Sequence, residues 1–317
     1  MKKIIFIAFI CALISSCEVI EEPYMNDVMV PVNPIDTVNP VDTTIYPQFL
    51  KNILIEDFTG HTCKNCPDAA RTLDAIHDFY GSRIIGLALH VGSTFARPYP
   101  IDPVSNPDSQ FIYDFRTKKG EEIDDFFEIS GNGLPKGMIN RIDYTSGEHR
   151  KDFAQWSSLV ADEVSEDALF GLILNVDFDN NEYDISVSAI ASSELSGDYK
   201  LVVCLAEDQI INWQKDGEDN DDSYIHKHVL RKIITPTFGD DLSNLPINIG
   251  DTLQHIYNDI NLWDEEYSNI TYSEFNLTGG NGNAGGWKST NMNVVAYIYD
   301  ASNYEILQAE QVPLLAK

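Results

Sequence analysis

Hydrophobic positions fall along this chain in three successive patterns. The first is an unbroken apolar run at residues 4–14, preceded by Lys2 and Lys3. It is too short to span a bilayer and has the length of a signal-peptide core. A stretch to about Gln48 follows with neither helical nor strand period. Pro23, Pro31, Pro34, Pro40 and Pro47 lie in it, so it reads as an extended tether. The second pattern begins at Phe49. Ile53-Leu54-Ile55 with Asp57-Phe58 predicts a buried strand. Ala69, Ala70, Leu73, Ile76 and Phe79 recur at three- and four-residue spacing and predict a helix from Asp68. Residues 84–90 predict a second buried strand. A Pro-rich stretch at 97–107 and a helix near 111–117 fill the interval before Gly133.

The third pattern begins at Leu169, where the period falls to two. Residues 172–178 and 183–191, joined by Asp179-Asn180-Asn181, predict a hairpin. Residues 199–206 predict a third strand, and 294–299 and 306–313 a closing pair. Short strands separated by turn signals predict an all-β sandwich of the immunoglobulin kind. The chain thus divides into a signal at 1–16, a tether at 17–48, an α/β domain at 49–167 and a β-sandwich at 168–317.

Composition narrows the functions open to this architecture. The chain has 317 residues, 43% of them hydrophobic, so it can bury real cores. Its formal charge is −29. So acidic a chain repels nucleic-acid phosphates and anionic headgroups, which excludes nucleic acid as a partner.

The first apolar run ends in Ile14-Ser15-Ser16-Cys17, which resembles a bacterial lipobox. The resemblance implies that Cys17 is lipidated and becomes the first residue of the mature protein. The chain is then an outer-membrane lipoprotein, facing the periplasm or the cell surface. The membrane is a partner through acyl chains, at about 0.8 kcal/mol per buried methylene. Glu18, Glu21 and Glu22 directly after it resemble the surface-export signals of Bacteroidetes lipoproteins.

Between the first strand and the first helix lies Thr62-Cys63-Lys64-Asn65-Cys66-Pro67. Two cysteines at this spacing can close a small disulfide at a helix N-terminus. There the unpaired N–H groups and the helix dipole stabilise a thiolate. Pro67 falls in the first turn, where its missing N–H is harmless. Residues 53–66 resemble the active-site segment of the thioredoxin fold, and the resemblance covers about residues 50–165. It implies an α/β thioredoxin-like domain in which Cys63 attacks and a half-buried Cys66 resolves. Asp57, six residues before the first cysteine, assists proton transfer. Gly133-Leu134-Pro135 resembles the family's cis-proline loop, with Pro135 packed against the disulfide. Such exchange needs no metal or organic cofactor, and its partners are protein thiols and disulfides. The chain departs from thioredoxins in having Thr62 before the first cysteine and Lys64-Asn65 between the pair. A passive staple remains the alternative, because exported compartments are oxidising.

Other features carry less chemistry. With Cys11 removed and Cys17 lipidated, the CxxC is the disulfide, and Cys204 reads as a buried free thiol. Asp177, Asp179 and Asn181 alternate like a calcium loop but lack its Gly and Glu. Residues 216–222 are a charged loop. His226 and His228 would share one side of a strand, as two metal ligands do, with no third ligand, so no metal is assigned. His61 reads as a turn residue. The Gly-rich run 279–286 reads as a hairpin tip, with Trp287 beside it.

Taken together, Glu56-Asp57-Phe58-Thr59-Gly60, the CxxCP, Gly133-Leu134-Pro135-Lys136-Gly137, Glu207-Asp208-Gln209 and Tyr224-x-His226-x-His228-Val229-Leu230-Arg231 resemble a Bacteroidetes outer-membrane lipoprotein family labelled 28-kDa outer-membrane protein. The expected function is thiol–disulfide exchange in the cell envelope. The rival is a surface binding module for a protein or glycan, built on the same scaffold.

Overall fold

The structure, a computed structural model, describes residues 48–98, 110–179, 182–242, 246–262 and 287–315. The signal, Cys17, the tether, most of the Pro-rich stretch and the Gly-rich run lie outside those residues, as does Asn181 of the calcium-like loop. Ile45–Lys317 form one compact unit.

In chain order the elements are β1 (Ile53–Thr59), α1 (Cys66–Tyr80), β2 (Ile84–His90), α2 (Lys118–Phe127), β3 (Lys136–Ile139) and α3 (Phe153–Glu163). Then come β4 (Phe170–Asp179), β5 (Glu182–Ala191), β6 (Tyr199–Glu207), β7 (Ile210–Ile211), β8 (Gln214–Asp216) and β9 (Asp219–Asp221). The last are β10 (Ile225–His226), β11 (Val229–Ile233), β12 (Asp240–Asp241), β13 (Thr252–Asn261), β14 (Met292–Asp300) and β15 (Ile306–Pro313).

One sheet runs through most of the molecule in the order β15-β14-β6-β11-β2-β1-β3, with β12 also on β6. β1 and β2 pair in parallel, and so do β2 and β11. The other pairs are antiparallel. β4, β5 and β13 form a separate antiparallel sheet. Strands from both sides of residues 167/168 therefore share the main sheet. The β half expected from the sequence has β4-β5-β13 as one layer and takes its other layer from that sheet.

Side-chain alternation gives the main sheet two different faces. On one face Leu54, Phe58, Leu87, Val202, Cys204 and Tyr297 make a continuous core with Ile123 and Phe127 of α2. The sheet curls until its outer strands are bridged. Ile306 N–H donates to the Asn140 carbonyl, and the Asn52 amide donates to the Ala309 carbonyl. The bridging leaves the edge strands poor templates for another chain. The opposite face is split. Under β1 and β2 lie α1 and α3, with Ile53, Ile55, Leu73, Ile76 and Trp156 in one core. Under β6 and β14 lies the smaller sheet, with Phe170, Ile185, Val187, Leu201, Val203, Leu205 and Val294 in another.

Local sequence explains the helices that frame the site. α1 begins at Cys66 with Pro67 in its first turn and ends at Gly81, whose φ of 64° suits a residue without Cβ. It buries Ala69, Leu73 and Ile76 and leaves Phe79 exposed, although Phe79 shares their spacing. Burial of Leu73 or Ile76 contributes roughly 1.5–3 kcal/mol each. Residues 111–117 are not helical, contrary to the sequence expectation. Phe111, Tyr113 and Phe115 are all buried at a spacing of two, which is an extended pattern. The helix starts one residue later, at Lys118, where the Thr117 hydroxyl caps it by accepting from Gly120 N–H at 3.0 Å. α3 starts with a capping box between Asp152 and Gln155. It seats Trp156 so close to β3 that a Cβ on Gly137 would lie 2.3 Å from the indole, so position 137 has no room for a side chain.

Candidate functional site

β1 delivers the chain to the site with two acids facing opposite ways. Glu56 points into the curled face, where Arg141 grips it with Nε at 2.8 Å and Nη2 at 2.6 Å. Arg141 also donates to the Tyr297 hydroxyl at 2.9 Å. Asp57 points to the helical face. It is buried, and its Oδ1 has no hydrogen-bond partner among the described residues. Burial in apolar surroundings raises its pKa from 3.8 to about 7.

After β1 the chain turns through residues 60–65. Gly60 lies against the backbone of Phe95, where a Cβ would come within 2.5 Å of a carbonyl carbon. Thr62 N–H and hydroxyl both donate to the Phe95 carbonyl at 3.0 Å. This fixes the turn, and Cys63 and Cys66 are joined by a disulfide at the start of α1. The Leu134–Pro135 peptide is cis. Lys136, the next residue, pairs with Phe58, so Pro135 lies at the same end of the sheet as the turn. Cys66 is not half-buried, contrary to expectation; each cysteine is only 2% exposed.

The reason is a segment with no apolar residue, the β8–β9 hairpin. Gln214, itself buried, donates through Nε2 to the carbonyls of Gly60 and Cys63 at 3.3 and 3.2 Å. Lys215 N–H donates to the His61 carbonyl, and Gly217 N–H to that of Lys64. Outside these, Lys64 pairs with Glu218, and Arg71 with Asp216.

A small cleft of about 50 Å³, room for a few water molecules, opens beside the turn. Asp57, Cys66, His90, Tyr224 and His226 line it; Cys63 does not. His61, His90 and His226 are all buried and cluster around Phe115. Both ring nitrogens of His90, Nδ1 of His61 and Nε2 of His226 have no hydrogen-bond partner among the described residues. Burial lowers the pKa of His61 to about 3 and of His226 to about 4, and takes His90 well below its ordinary value. All three are therefore neutral at pH 7.

His226 and His228 do not share a strand as expected. β10 ends at His226, and His228 has a φ of 56° before β11 begins. His228 instead pairs with Asp208 at 3.2 Å. Among the described residues no cluster of His, Cys, Asp or Glu is arranged to hold a metal. No helix among them is long and apolar enough to cross a membrane. Cys204 is a buried free thiol, and burial raises its pKa. Trp287 is buried. Sequence reasoning misses Gln214 and Tyr224 and treats His90 as an ordinary strand residue. The Asp216-Gly217 pair is a usable hairpin signal.

Fold and site together define a mixed α/β protein with several sheets and few helices, carrying a CxxC disulfide at a helix N-terminus. The chain matches the family model described as Outer membrane protein Omp28 over residues 123–315, and it belongs to that family. It is an outer-membrane protein. The match takes in the cis-proline loop and the second half, and the CxxC turn precedes it. In structure the chain is similar to HBP35 of Porphyromonas gingivalis, with a TM-score of 0.57 and 16% identity over 84% of this chain and 76% of that one. A protein from Agrobacterium tumefaciens gives a TM-score of 0.46 at 13% identity, over 86% of this chain and 98% of that one. A domain of the outer membrane lipoprotein Omp28 from Porphyromonas gingivalis gives 0.26 at 14% identity, over 46% and 88%. Only the first of these likenesses bears on the fold. No curated protein matches the chain.

Proposed function

We propose that the chain is a thiol–disulfide exchange protein of the cell envelope, tethered to the outer membrane by a lipid on Cys17. In this reading β3-β1-β2 with α1, α2 and α3 is a thioredoxin-like half, and β4-β5-β13 stacked on β6 and β14 is an immunoglobulin-like half. The observation that carries the activity is Asp57, a buried carboxyl with a free oxygen that opens on the same cleft as Cys66. A carboxyl that keeps its proton to about pH 7 can take one from a thiol, or return it, near neutrality.

In the reducing direction, the Cys63 thiolate attacks one sulfur of a substrate disulfide. The substrate S–S bond breaks and a mixed disulfide forms. Asp57 takes the Cys66 proton, and Cys66 attacks the Cys63 sulfur. The Cys63–Cys66 bond closes, and the substrate leaves with both sulfurs reduced. Pro135 shapes the groove that holds the substrate. The test is the reduction potential of the pair, read by thiol trapping in dithiol buffers. A value above about −230 mV supports exchange, and one below about −300 mV marks a structural disulfide. Cys63→Ser should abolish exchange with a model disulfide.

One observation favours a second reading, a binding module for a surface protein or glycan with a stapling disulfide. Each cysteine is only 2% exposed, beneath a hairpin bonded to the turn. If the double variant Cys63→Ser, Cys66→Ser keeps full ligand capture, this reading replaces the first.

A further inference from the structure

The hairpin over the disulfide has two properties that do not usually go together. It is well bonded, and it is not packed. Along the turn it takes the carbonyls of Gly60, His61, Cys63 and Lys64, so an incoming polypeptide finds none of them free. Yet from Gln214 to Ser223 the sequence is QKDGEDNDDS, with no apolar side chain. What holds it outside the backbone bonds is polar. The Gln214 amide is shared among the carbonyls of Gly60, Cys63 and Lys215. The Lys64–Glu218 pair is exposed, at 52% and 83%. Asn220 reaches Gln110 at 2.8 Å on the surface. Exposed ion pairs contribute little and are screened by salt. A segment with few buried apolar contacts opens at the low end of a protein's stability range.

We propose that the β8–β9 hairpin decides which thiols reach the Cys63–Cys66 disulfide, and that Gln214 is the positioning residue that clasps it shut. Closed, the hairpin leaves, among the described residues, the small cleft at Cys66, which has room for the thiol group of a small reductant and none for a polypeptide segment. Lifted, it frees the turn for a polypeptide thiol. In either case the chemistry balances. An incoming thiolate attacks one sulfur of the pair, the S–S bond breaks, and the other sulfur leaves as a thiolate and takes up a proton. The second thiol of the reductant then displaces the protein sulfur, leaving the reductant oxidised and both cysteines reduced. The proposal rests on the exchange reading, and its test is separable from that reading because access is a rate and exchange competence is a potential.

The test compares second-order rates of reduction of the disulfide in the full chain by two probes, dithiothreitol and a reduced protein dithiol. Gln214→Ala removes the clasp. A second variant, in which residues 215–220 are replaced by Gly-Gly, removes the cover without touching an apolar core. The expected result is a rise of about five- to tenfold in the protein-dithiol rate for Gln214→Ala, the scale of one lost hydrogen bond. The rise is larger for the shortened hairpin, and the dithiothreitol rate changes much less in both. Gln214→Asn restores part of the closure. Unchanged protein-dithiol rates in both variants would overturn the proposal, and so would equal acceleration by both probes. A potential below about −300 mV alongside selective acceleration would sink the exchange reading and leave the cover in place.

Discussion

Glu56 and Asp57 are neighbours on one strand, and the two faces of the main sheet treat them in opposite ways. The curled face gives Glu56 a buried guanidinium, and Arg141 in turn lies over the rings of Phe127, Tyr297 and Tyr299. The helical face gives Asp57 no partner for its Oδ1 among the described residues, and the neutral His90 and His226 line the same cleft. Charge is satisfied where the two halves of the sheet are tied together and left unsatisfied where the disulfide sits. The lesson is that the two faces of a single strand can hold one buried acid paired and its neighbour unpaired. Unpartnered polar groups gather at sites whose chemistry uses them, and the rest of the structure offsets their cost.

The comparison breaks most directly at Arg141. Arg141→Ala leaves Glu56 buried without its partner and should lower unfolding stability by about 3–5 kcal/mol. Denaturant titration measures this. Replacing both partners, with Glu56→Gln and Arg141→Met, should cost far less; an equal loss would show that the pair's charge is not what matters. On the other face the sign reverses. The folded chain keeps the Asp57 proton to about pH 7, whereas the unfolded chain gives it up near 3.8. Stability is therefore lost as pH rises across that window, and the cost is fully present above pH 7. Asp57→Asn should then stabilise the protein at pH 8 by on the order of 3–4 kcal/mol, and not at pH 3. The same variant should slow exchange about 100-fold. A variant no more stable at pH 8 than wild type would show that Asp57 is solvated.

The histidines sharpen the contrast on acidification. His61 and His226 stay neutral when folded, to about pH 3 and about pH 4, but protonate near 6.5 when unfolded. Their contribution is intact above pH 6.5 and is lost as pH falls toward 4. Between pH 7 and pH 5 this loss runs opposite to the trend of Asp57. His226→Asn should reduce the slope by about 1.4 kcal/mol per pH unit, the value of one proton. The smallest effect belongs to Cys204, on the curled face. Burial raises its thiol pKa, so an alkylating reagent should leave it unmodified until the chain unfolds.

Much of this is legible in the residues. The order strand, CxxC, helix, strand follows from local apolar spacing, and so do the β4–β5 hairpin and the strands β6, β14 and β15. Local spacing does not carry the pairing of β2 with β11, which joins Ala88 to Val229 across a long stretch of chain. Hence the sequence does not reveal that strands from both sides of residues 167/168 share one sheet. Residues 111–117 read wrongly as a helix, although Phe111, Tyr113 and Phe115 alternate as an extended segment does. Of the candidate site, Cys63, Cys66, Asp57 and Pro135 stand out in the sequence because their spacing resembles that of the thioredoxin-fold segment. The histidine cluster does not, because His61, His90 and His226 come from separate segments and meet only when the sheet is assembled. The hairpin reads as a charged loop because it has no apolar alternation to reveal a strand.

The distance in sequence between the disulfide and its cover has a consequence for biogenesis. Gln214 lies 151 residues after Cys63. At roughly 5–20 residues per second of synthesis, the cysteines emerge on the order of ten seconds before the residues that will roof them. Until residues 214–221 have folded, the CxxC turn lacks the hydrogen bonds that cover it. A bond formed before the later half folds is roofed by that half afterwards, so the order of oxidation and folding decides whether the pair is oxidised in the open or under its cover.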